Sequence, residues 1–147
     1  SRIMSLKDGS KKMSKSELSN LSRINLTDNK DQIINKIKKA KTDPLAMPKD
    51  IKELEGRPEA QNLLGIYTSL SNASFESSLE KFAEKNFSEF KEQLSELLVD
   101  KLTPISEEIK RLIKDQSYLD SILLDGVEKA NKIASKKIKN IKETVGF

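Results

Sequence analysis

Two lysines and two serines near the start of the chain have the types and spacing to bind a polyphosphate. Lys12 and Lys15 lie three positions apart, Ser14 and Ser16 alternate with them, and a glycine at position 9 precedes the group. Ammonium groups on flexible stems and hydroxyl donors suit a charge that moves during a reaction. Such a loop could stabilise the charge that builds up on pyrophosphate when a carboxylate attacks the α-phosphate of ATP.

The composition excludes several other kinds of site. The 147 residues include no cysteine and no histidine, which rules out disulfides, thiolate metal sites, the usual zinc sites and histidine-based triads. No apolar run reaches the ~18 residues of a membrane span, and the first residues lack the apolar core of a signal peptide. We therefore predict no metal ligands and no membrane, and we expect a cytoplasmic location.

The positive charge is concentrated in two regions. Net charge is +4, yet residues 1–41 alone hold 11 basic and 4 acidic side chains. The last predicted helix carries six lysines with no acid between the first and the last of them: Lys129, Lys132, Lys136, Lys137, Lys139 and Lys142. Both regions could face a polyanion, and we expect the lysine row on the last helix to have an electrostatic role.

Helical periodicity dominates the chain after residue 27. We expect Asp28 to be the N-cap of a first helix that ends before Pro44, and Pro58 to occupy the first turn of a second. Ser74 is expected to open a third helix. No alternating strand pattern occurs beyond residue 9, so the sequence predicts an all-α fold.

Two longer helices follow. One begins at residue 86 or 87 and keeps its apolar stripe past Pro104, where we expect a kink or a brief break. The last helix runs from about Ser117 to about Glu143. Before all of these, residues 1–9 read as the tail of a strand or a turn, and residues 10–27 as a mobile loop and linker that Met13 anchors to the core.

Residues 12–16 spell KMSKS, the second signature of class I aminoacyl-tRNA synthetases. The segments SRIMSLKDG (1–9), SRINLTD (22–28), KIKKAKTD (36–43) and LEGRPEAQNLLGIY (54–67) make the text around it similar to the bacterial or organellar tryptophanyl-tRNA synthetases. The resemblance covers residues 1–147. Because that family has a nucleotide-binding domain ahead of this point, and because position 1 is not methionine, we expect a C-terminal piece of a longer protein.

The resemblance implies an architecture and an activity. Residues 1–27 would be the KMSKS loop and linker at the end of a Rossmann-like catalytic domain, and residues 28–147 an antiparallel bundle of about five helices that recognises the anticodon. The whole enzyme would activate tryptophan with ATP to the aminoacyl-adenylate and transfer it to tRNA(Trp). The piece alone would be inactive, and the homodimer would form through the missing domain.

The resemblance also assigns residues. Lys12 and Lys15 would bind the phosphates and stabilise the transition state, with Met13, Ser14 and Ser16 completing the ATP-binding loop. Mg²⁺ would be held mainly through ATP and by no residue of this chain. Contacts with tRNA are expected from five basic side chains: Lys36, Lys38, Lys39, Lys41 and Arg57.

Two other interpretations remain open from the sequence. The first is an enzyme of the same class for another amino acid, most plausibly tyrosine. The second is a non-catalytic basic helical module that binds nucleic acid or a protein partner through the lysine row, with an accidental KMSKS. A charging assay with both amino acids tests the first interpretation. Alanine at Lys12 and Lys15 tests the second, because a purely electrostatic module would lose only a modest, salt-sensitive part of its binding.

Overall fold

The computed structural model describes residues 2–146, and the contacts divide the chain into two compact units, Ser1–Glu107 and Glu108–Phe147. Five α-helices provide the regular structure: α1 Lys30–Lys38, α2 Pro58–Ser71, α3 Phe75–Phe82, α4 Phe87–Lys114 and α5 Gln116–Val145. Within residues 2–146 there is no β-strand; an isolated antiparallel bridge joins Met4 to Lys12. The predicted all-α fold is confirmed.

The first helix begins one residue later than the sequence predicted. Asn29 is the N-cap of α1: its side chain accepts from the Gln32 amide at 2.9 Å, and the Gln32 side chain accepts from the Asn29 amide at 2.8 Å. This reciprocal capping box satisfies two amides that the helix cannot pair internally. The prediction that Asp28 is the cap is wrong, because its carboxylate is buried and paired with Lys36.

The second and third helices begin as predicted. Pro58 occupies the first turn of α2, where its missing N–H costs nothing. This helix ends at Ser71, and the C-cap Asn72 has a left-handed φ of 57°. The Ser74 hydroxyl then accepts from the Ser77 amide at 3.1 Å and caps α3.

The core of the first unit combines apolar faces of all four of its helices. Its largest fully buried side chains include Leu63 and Leu64 of α2 and Phe82 of α3. The Phe82 ring packs edge-on against Tyr67 and against Phe90, with ring centroids 4.7 Å apart in both pairs. Such edge-to-face pairs add roughly 0.5–1.5 kcal/mol to the burial term.

The fourth helix continues through its proline. α4 is helical on both sides of Pro104 without interruption, so the break considered from the sequence is not present. The Thr103 hydroxyl is buried with no hydrogen-bond partner among the described residues. A proline inside a helix removes one backbone hydrogen bond, so α4 continues past Pro104 with that one bond missing.

The second unit contains the end of α4 and all of α5. The Asp115 side chain accepts from the Tyr118 amide at 3.1 Å and caps α5, and Gly146 ends it with a left-handed φ of 85°. No residue of α5 is buried. The apolar stripe that the sequence places on this helix is exposed, with Leu123, Ile133 and Val145 each more than 60% accessible. None of the helices in residues 2–146 is long and apolar enough to cross a membrane.

Candidate phosphate-binding loop

The loop that carries the two lysines begins as a short antiparallel pairing. The Met13 amide donates to the Ile3 carbonyl at 3.1 Å, and the Ser5 amide donates to the Lys11 carbonyl at 2.8 Å. These two bonds flank the bridge between Met4 and Lys12. The backbone of Lys12 is therefore fixed opposite Met4, although its side chain is exposed.

Asp8 closes the turn of this pairing. Its carboxylate accepts from the Ser10 hydroxyl at 2.5 Å and from the Ser10 amide at 3.1 Å, and Lys11 lies 3.3 Å away. The Ser10 hydroxyl is the main cause of a lowered pKa at Asp8, with the Ser10 amide and Lys11 adding to it. Asp8 is thus an ionised, local partner of the turn and does not reach the loop tip.

The turn is pressed against the first turn of α2. A Cβ at Gly9 would lie 2.5 Å from the backbone carbon and oxygen of Pro58, so only glycine fits there without displacement. The next residue, Glu59, accepts from Lys41 at 2.8 Å, and the Lys41 amide donates to the Leu6 carbonyl at 2.7 Å. The Lys41 hydrogen bond lowers the pKa of Glu59 against the opposing effect of burial.

The tip of the loop presents unpaired cations. Lys12 and Lys15 are exposed, and among residues 2–146 neither ammonium group has an ion-pair or hydrogen-bond partner. The hydroxyls of Ser14 and Ser16 lie 2.8 Å apart and share a hydrogen bond. Met13 is half-buried and packs against the core, as expected for the residue that anchors the loop.

An open depression of about 960 Å³ lies beside the tip. Four basic residues line it, Arg2, Lys12, Lys15 and Arg23, and none of its lining residues is acidic. Arg23 is held there by bonds from its guanidinium to the Glu17 carbonyl at 2.8 Å and to the Asn25 side chain at 3.2 Å. Several cations around one concavity, without a carboxylate, form a surface suited to a polyanion.

The segment after the loop is ordered by a buried ion pair. The ammonium of Lys36 bonds to the carboxylate of Asp28, and the two side chains are 3% and 4% exposed. Asp28 also accepts from the Asn25 amide at 2.8 Å. Arg23, Asn25, Asp28 and Lys36 thus form one continuous polar chain from the depression into the core.

The five basic residues predicted to contact tRNA have different surroundings. Lys36 is 2% exposed and its ammonium is paired with Asp28, so this side chain does not present its charge to the solvent. Arg57 donates to both carboxylate oxygens of Asp43, at 2.9 and 2.8 Å, and to the Ala46 carbonyl at 2.7 Å. The Arg57 side chain is therefore only 11% exposed, and its charge is directed at Asp43 instead of at the solvent.

The other three predicted contacts remain accessible. Lys41 pairs with Glu59 but keeps 60% of its side chain exposed. Lys38 and Lys39 lie at the exposed end of α1. Lys91 of α4 donates to the Ala40 carbonyl at 2.7 Å and to the Lys38 carbonyl at 3.3 Å. These bonds give partners to backbone carbonyls at the C-terminal end of α1. The accessible set is therefore Lys38, Lys39 and Lys41.

The lysine row on α5 is partly paired. Lys129 lies 2.6 Å from Asp125, and Lys139 lies 3.9 Å from Glu143. Both acids lie just outside the stretch from Lys129 to Lys142, so the absence of acids within it does not leave these two lysines unpaired. Such exposed pairs contribute little to stability, and they weaken the argument for an electrostatic role of the row.

Neither Asn62 nor Gly9, which attach the base of the loop to α2, was predicted from the sequence. Asn62 of α2 is 8% exposed and bonds to the backbone of Met4. An asparagine directly before the buried pair Leu63 and Leu64 is a usable signal, because a buried amide needs partners. The role of Gly9 had no such signal, since it depends on a contact with a residue 49 positions later. Among the described residues no cluster of three potential metal ligands occurs.

The sequence matches known proteins along its whole length. The model of the family "tRNA synthetases class I (W and Y)" matches residues 1–103. Tryptophan–tRNA ligases of Mesorhizobium japonicum and Agrobacterium fabrum are each 51% identical over 146 residues, which cover 99% of this chain and 41% of the relative. The chain thus spans about two fifths of the length of these relatives.

Solved structures agree with the sequence matches. The tryptophanyl-tRNA synthetase from Campylobacter jejuni complexed with ADP and tryptophan superposes with a TM-score of 0.77 at 27% identity, over 100% of this chain and 44% of that one. The synthetase from Mycoplasma pneumoniae superposes with a TM-score of 0.69 at 26% identity, over 99% of this chain and 45% of that one.

Proposed function

The chain belongs to the class I tRNA synthetases for tryptophan and tyrosine, and from that premise we propose that it is the part of a tryptophan–tRNA ligase that begins at the phosphate-binding loop. The single observation that supports the role of the loop is that the ammonium groups of Lys12 and Lys15, which have no partner among residues 2–146, lie beside a depression lined by four cations. The relatives named above are tryptophan–tRNA ligases, which favours tryptophan over tyrosine.

In the proposed reaction the tryptophan carboxylate attacks the α-phosphorus of ATP. A bond forms between a carboxylate oxygen and phosphorus, the bond between the α-phosphorus and its bridging oxygen breaks, and pyrophosphate departs with that electron pair. Lys12 and Lys15 stabilise the charge that grows on the departing group, with Ser14 and Ser16 as hydroxyl donors. No proton transfer from the protein is needed, since the nucleophile is already ionised.

The depression fits the triphosphate better than it fits a metal ion. Its lining is basic and holds no carboxylate, so the lining residues supply phosphate partners and lack the carboxylate ligands that Mg²⁺ usually takes from a protein. We therefore assign no residue of this chain to Mg²⁺, which would arrive on the phosphate oxygens of ATP and neutralise part of their charge.

The helical residues 28–147 are proposed to contact tRNA(Trp) and to recognise its anticodon. Lys38, Lys39 and Lys41 are the accessible candidates on the first unit, and their contacts would be with phosphates, which position a nucleic acid without reading its sequence. The tryptophan pocket and the dimer surface are proposed to lie outside this chain. This chain alone is accordingly proposed to be inactive.

The function is tested by amino-acid-dependent exchange of labelled pyrophosphate into ATP, measured on the full-length protein. We expect exchange with tryptophan and at most a small rate with tyrosine at equal concentration. Exchange with tyrosine alone would move the assignment to the sister enzyme of the same family. No exchange with any amino acid would contradict the proposal and favour the non-catalytic binding module.

A further inference from the structure

A buried asparagine of α2 binds the backbone of the loop on the side away from the lysines. The Met4 amide donates to Oδ1 of Asn62 at 2.9 Å, and Nδ2 of Asn62 donates to the Met4 carbonyl at 2.9 Å. Nδ2 also lies 3.4 Å from the Ser5 carbonyl. Both polar groups of one backbone residue are thus satisfied by one side-chain amide.

Met4 is the residue that lies opposite Lys12. The bonds on either side of this pair join Met13 to Ile3 and Ser5 to Lys11. One edge of Met4 therefore faces the segment that carries Lys12, and the other edge, with its amide and carbonyl, faces Asn62. The side-chain amide takes the position that a third strand would take in a sheet, so it limits how far the Met4 segment can move.

The base of the loop has a second attachment to the same helix. Gly9 lies against the backbone of Pro58, four residues or about one helical turn before Asn62. The helix carrying both attachments is well packed, because Leu63 and Leu64 next to Asn62 are fully buried. The loop tip itself has few attachments, of which Met13 packing on the core is the main one.

We propose that Asn62 is a positioning residue for Lys12, holding the bridge between Met4 and Lys12 in the register that aims the ammonium at the phosphates. This inference rests on the proposed function for its catalytic consequence. The claim that the amide of Asn62 orders residues 3–13 is independent of the proposed function. A displacement of about 1 Å at a reacting group can cost on the order of 10²-fold in rate, so a residue that fixes this register affects turnover without touching the substrate.

The first test uses the full-length protein with Asn62→Asp, which keeps the size and the acceptor for the Met4 amide but removes the donor to the Met4 carbonyl. We expect kcat for pyrophosphate exchange to fall about 10- to 100-fold, while KM for tryptophan stays within about twofold. The matched control is Gln61→Ala, an exposed neighbour whose side chain makes no hydrogen bond in residues 2–146. It should leave both parameters unchanged.

A double-mutant cycle separates positioning from a general structural defect. If Asn62 acts through Lys12, Asn62→Asp should have little further effect in a Lys12→Ala background, because the ammonium it positions is already gone. Equal fold-losses in both backgrounds would overturn the proposal, as would a single variant with kcat within twofold of the unsubstituted protein.

Hydrogen exchange tests the same claim without activity. In Asn62→Asp the amide of Met13, which bonds across the pairing to Ile3, should exchange at least about tenfold faster, while amides in the middle of α2 keep their protection. Unchanged exchange at Met13 would overturn the proposal whatever the activity. Absence of tryptophan-dependent pyrophosphate exchange in the unsubstituted protein would instead refute the proposed function and leave this measurement to decide the role of Asn62.

Discussion

The basic residues of the loop and those around α1 share their chemistry and differ in their partners. Lys12 and Lys15 are exposed and unpaired within residues 2–146. By contrast, Lys36 is paired with Asp28 in the core, and Arg57 donates two hydrogen bonds to the carboxylate of Asp43. The first group is available to a ligand, whereas the second contributes to the folded structure of the unit that carries the loop.

This difference shows that lysine density alone does not locate a binding surface. Lys36 and Lys38 are two positions apart on one short helix, yet one is buried and the other exposed. A helix places residues two apart on different faces, so a row of lysines in the sequence divides between the core and the solvent. Accessibility and the presence of an acidic partner decide which members can meet a polyanion.

The largest effect on stability is expected from Lys36→Ala. Removing the ammonium leaves the carboxylate of Asp28 buried and partly uncompensated, which costs about 3–5 kcal/mol in comparable buried pairs. The free energy of unfolding in urea, measured for the chain and for Lys36→Ala, gives the comparison. Lys39→Ala, at the C-cap of the same helix, is the matched control, and a change within about 0.5 kcal/mol is expected there. Equal losses at both positions would show that the buried Lys36 and the exposed Lys39 contribute alike to stability, which contradicts the expectation.

A smaller effect is expected from the pH dependence of the Arg57 and Asp43 pair. Burial raises the pKa of Asp43, but the hydrogen bonds from Arg57 and the Leu45 amide outweigh it, and the pKa lies below the ordinary value of 3.8. The stabilisation from this pair is therefore present above the unfolded pKa and is lost as pH falls through the folded one.

The measurement is the free energy of unfolding as the pH is lowered from neutrality to well below the ordinary value of 3.8, because the contribution of a carboxylate with a lowered folded-state pKa is lost in this direction. Asp43→Asn removes the titrating group, and the loss of stability over this window should become smaller by on the order of 1 kcal/mol, discounted for partial exposure. Asp50→Asn, at an exposed position with no ion pair among the described residues, serves as the control. Identical pH profiles for Asp43→Asn and the unsubstituted chain would show that the pair contributes nothing.

The sequence predicts the helices well because their signals are local. The apolar spacing of Leu63, Leu64 and Tyr67 indicates a core face, and all three are buried. Ser74 is a helix cap that the sequence identifies correctly. The error at Asp28 has a physical cause, since Asp28 and Asn29 are both good caps and only the tertiary partner Lys36 selects between them. Gln32, three residues after Asn29, is the local capping-box signal that favours the correct one.

The site is predictable only in part. KMSKS identifies the loop because the signature is five consecutive residues, so finding it requires no partner from elsewhere in the chain. The attachments of the loop cannot be read from sequence, because Gly9 meets Pro58, and Met4 meets Asn62, across separations of 49 and 58 residues. The burial of Lys36 is hidden for the same reason, as its partner lies eight residues away and outside the i,i+4 spacing of helix pairs.

The most direct test of the account compares two lysine pairs in the full-length protein. Lys12→Ala with Lys15→Ala removes the proposed phosphate contacts, and Lys38→Ala with Lys39→Ala removes exposed charge from α1. Tryptophan-dependent pyrophosphate exchange should fall by at least about 10³-fold in the first variant, since single donors to developing charge are worth roughly 10²- to 10³-fold. In the second it should stay within about threefold. A loop variant that keeps exchange within tenfold of the unsubstituted protein, or a similar loss in both variants, would contradict the central claim.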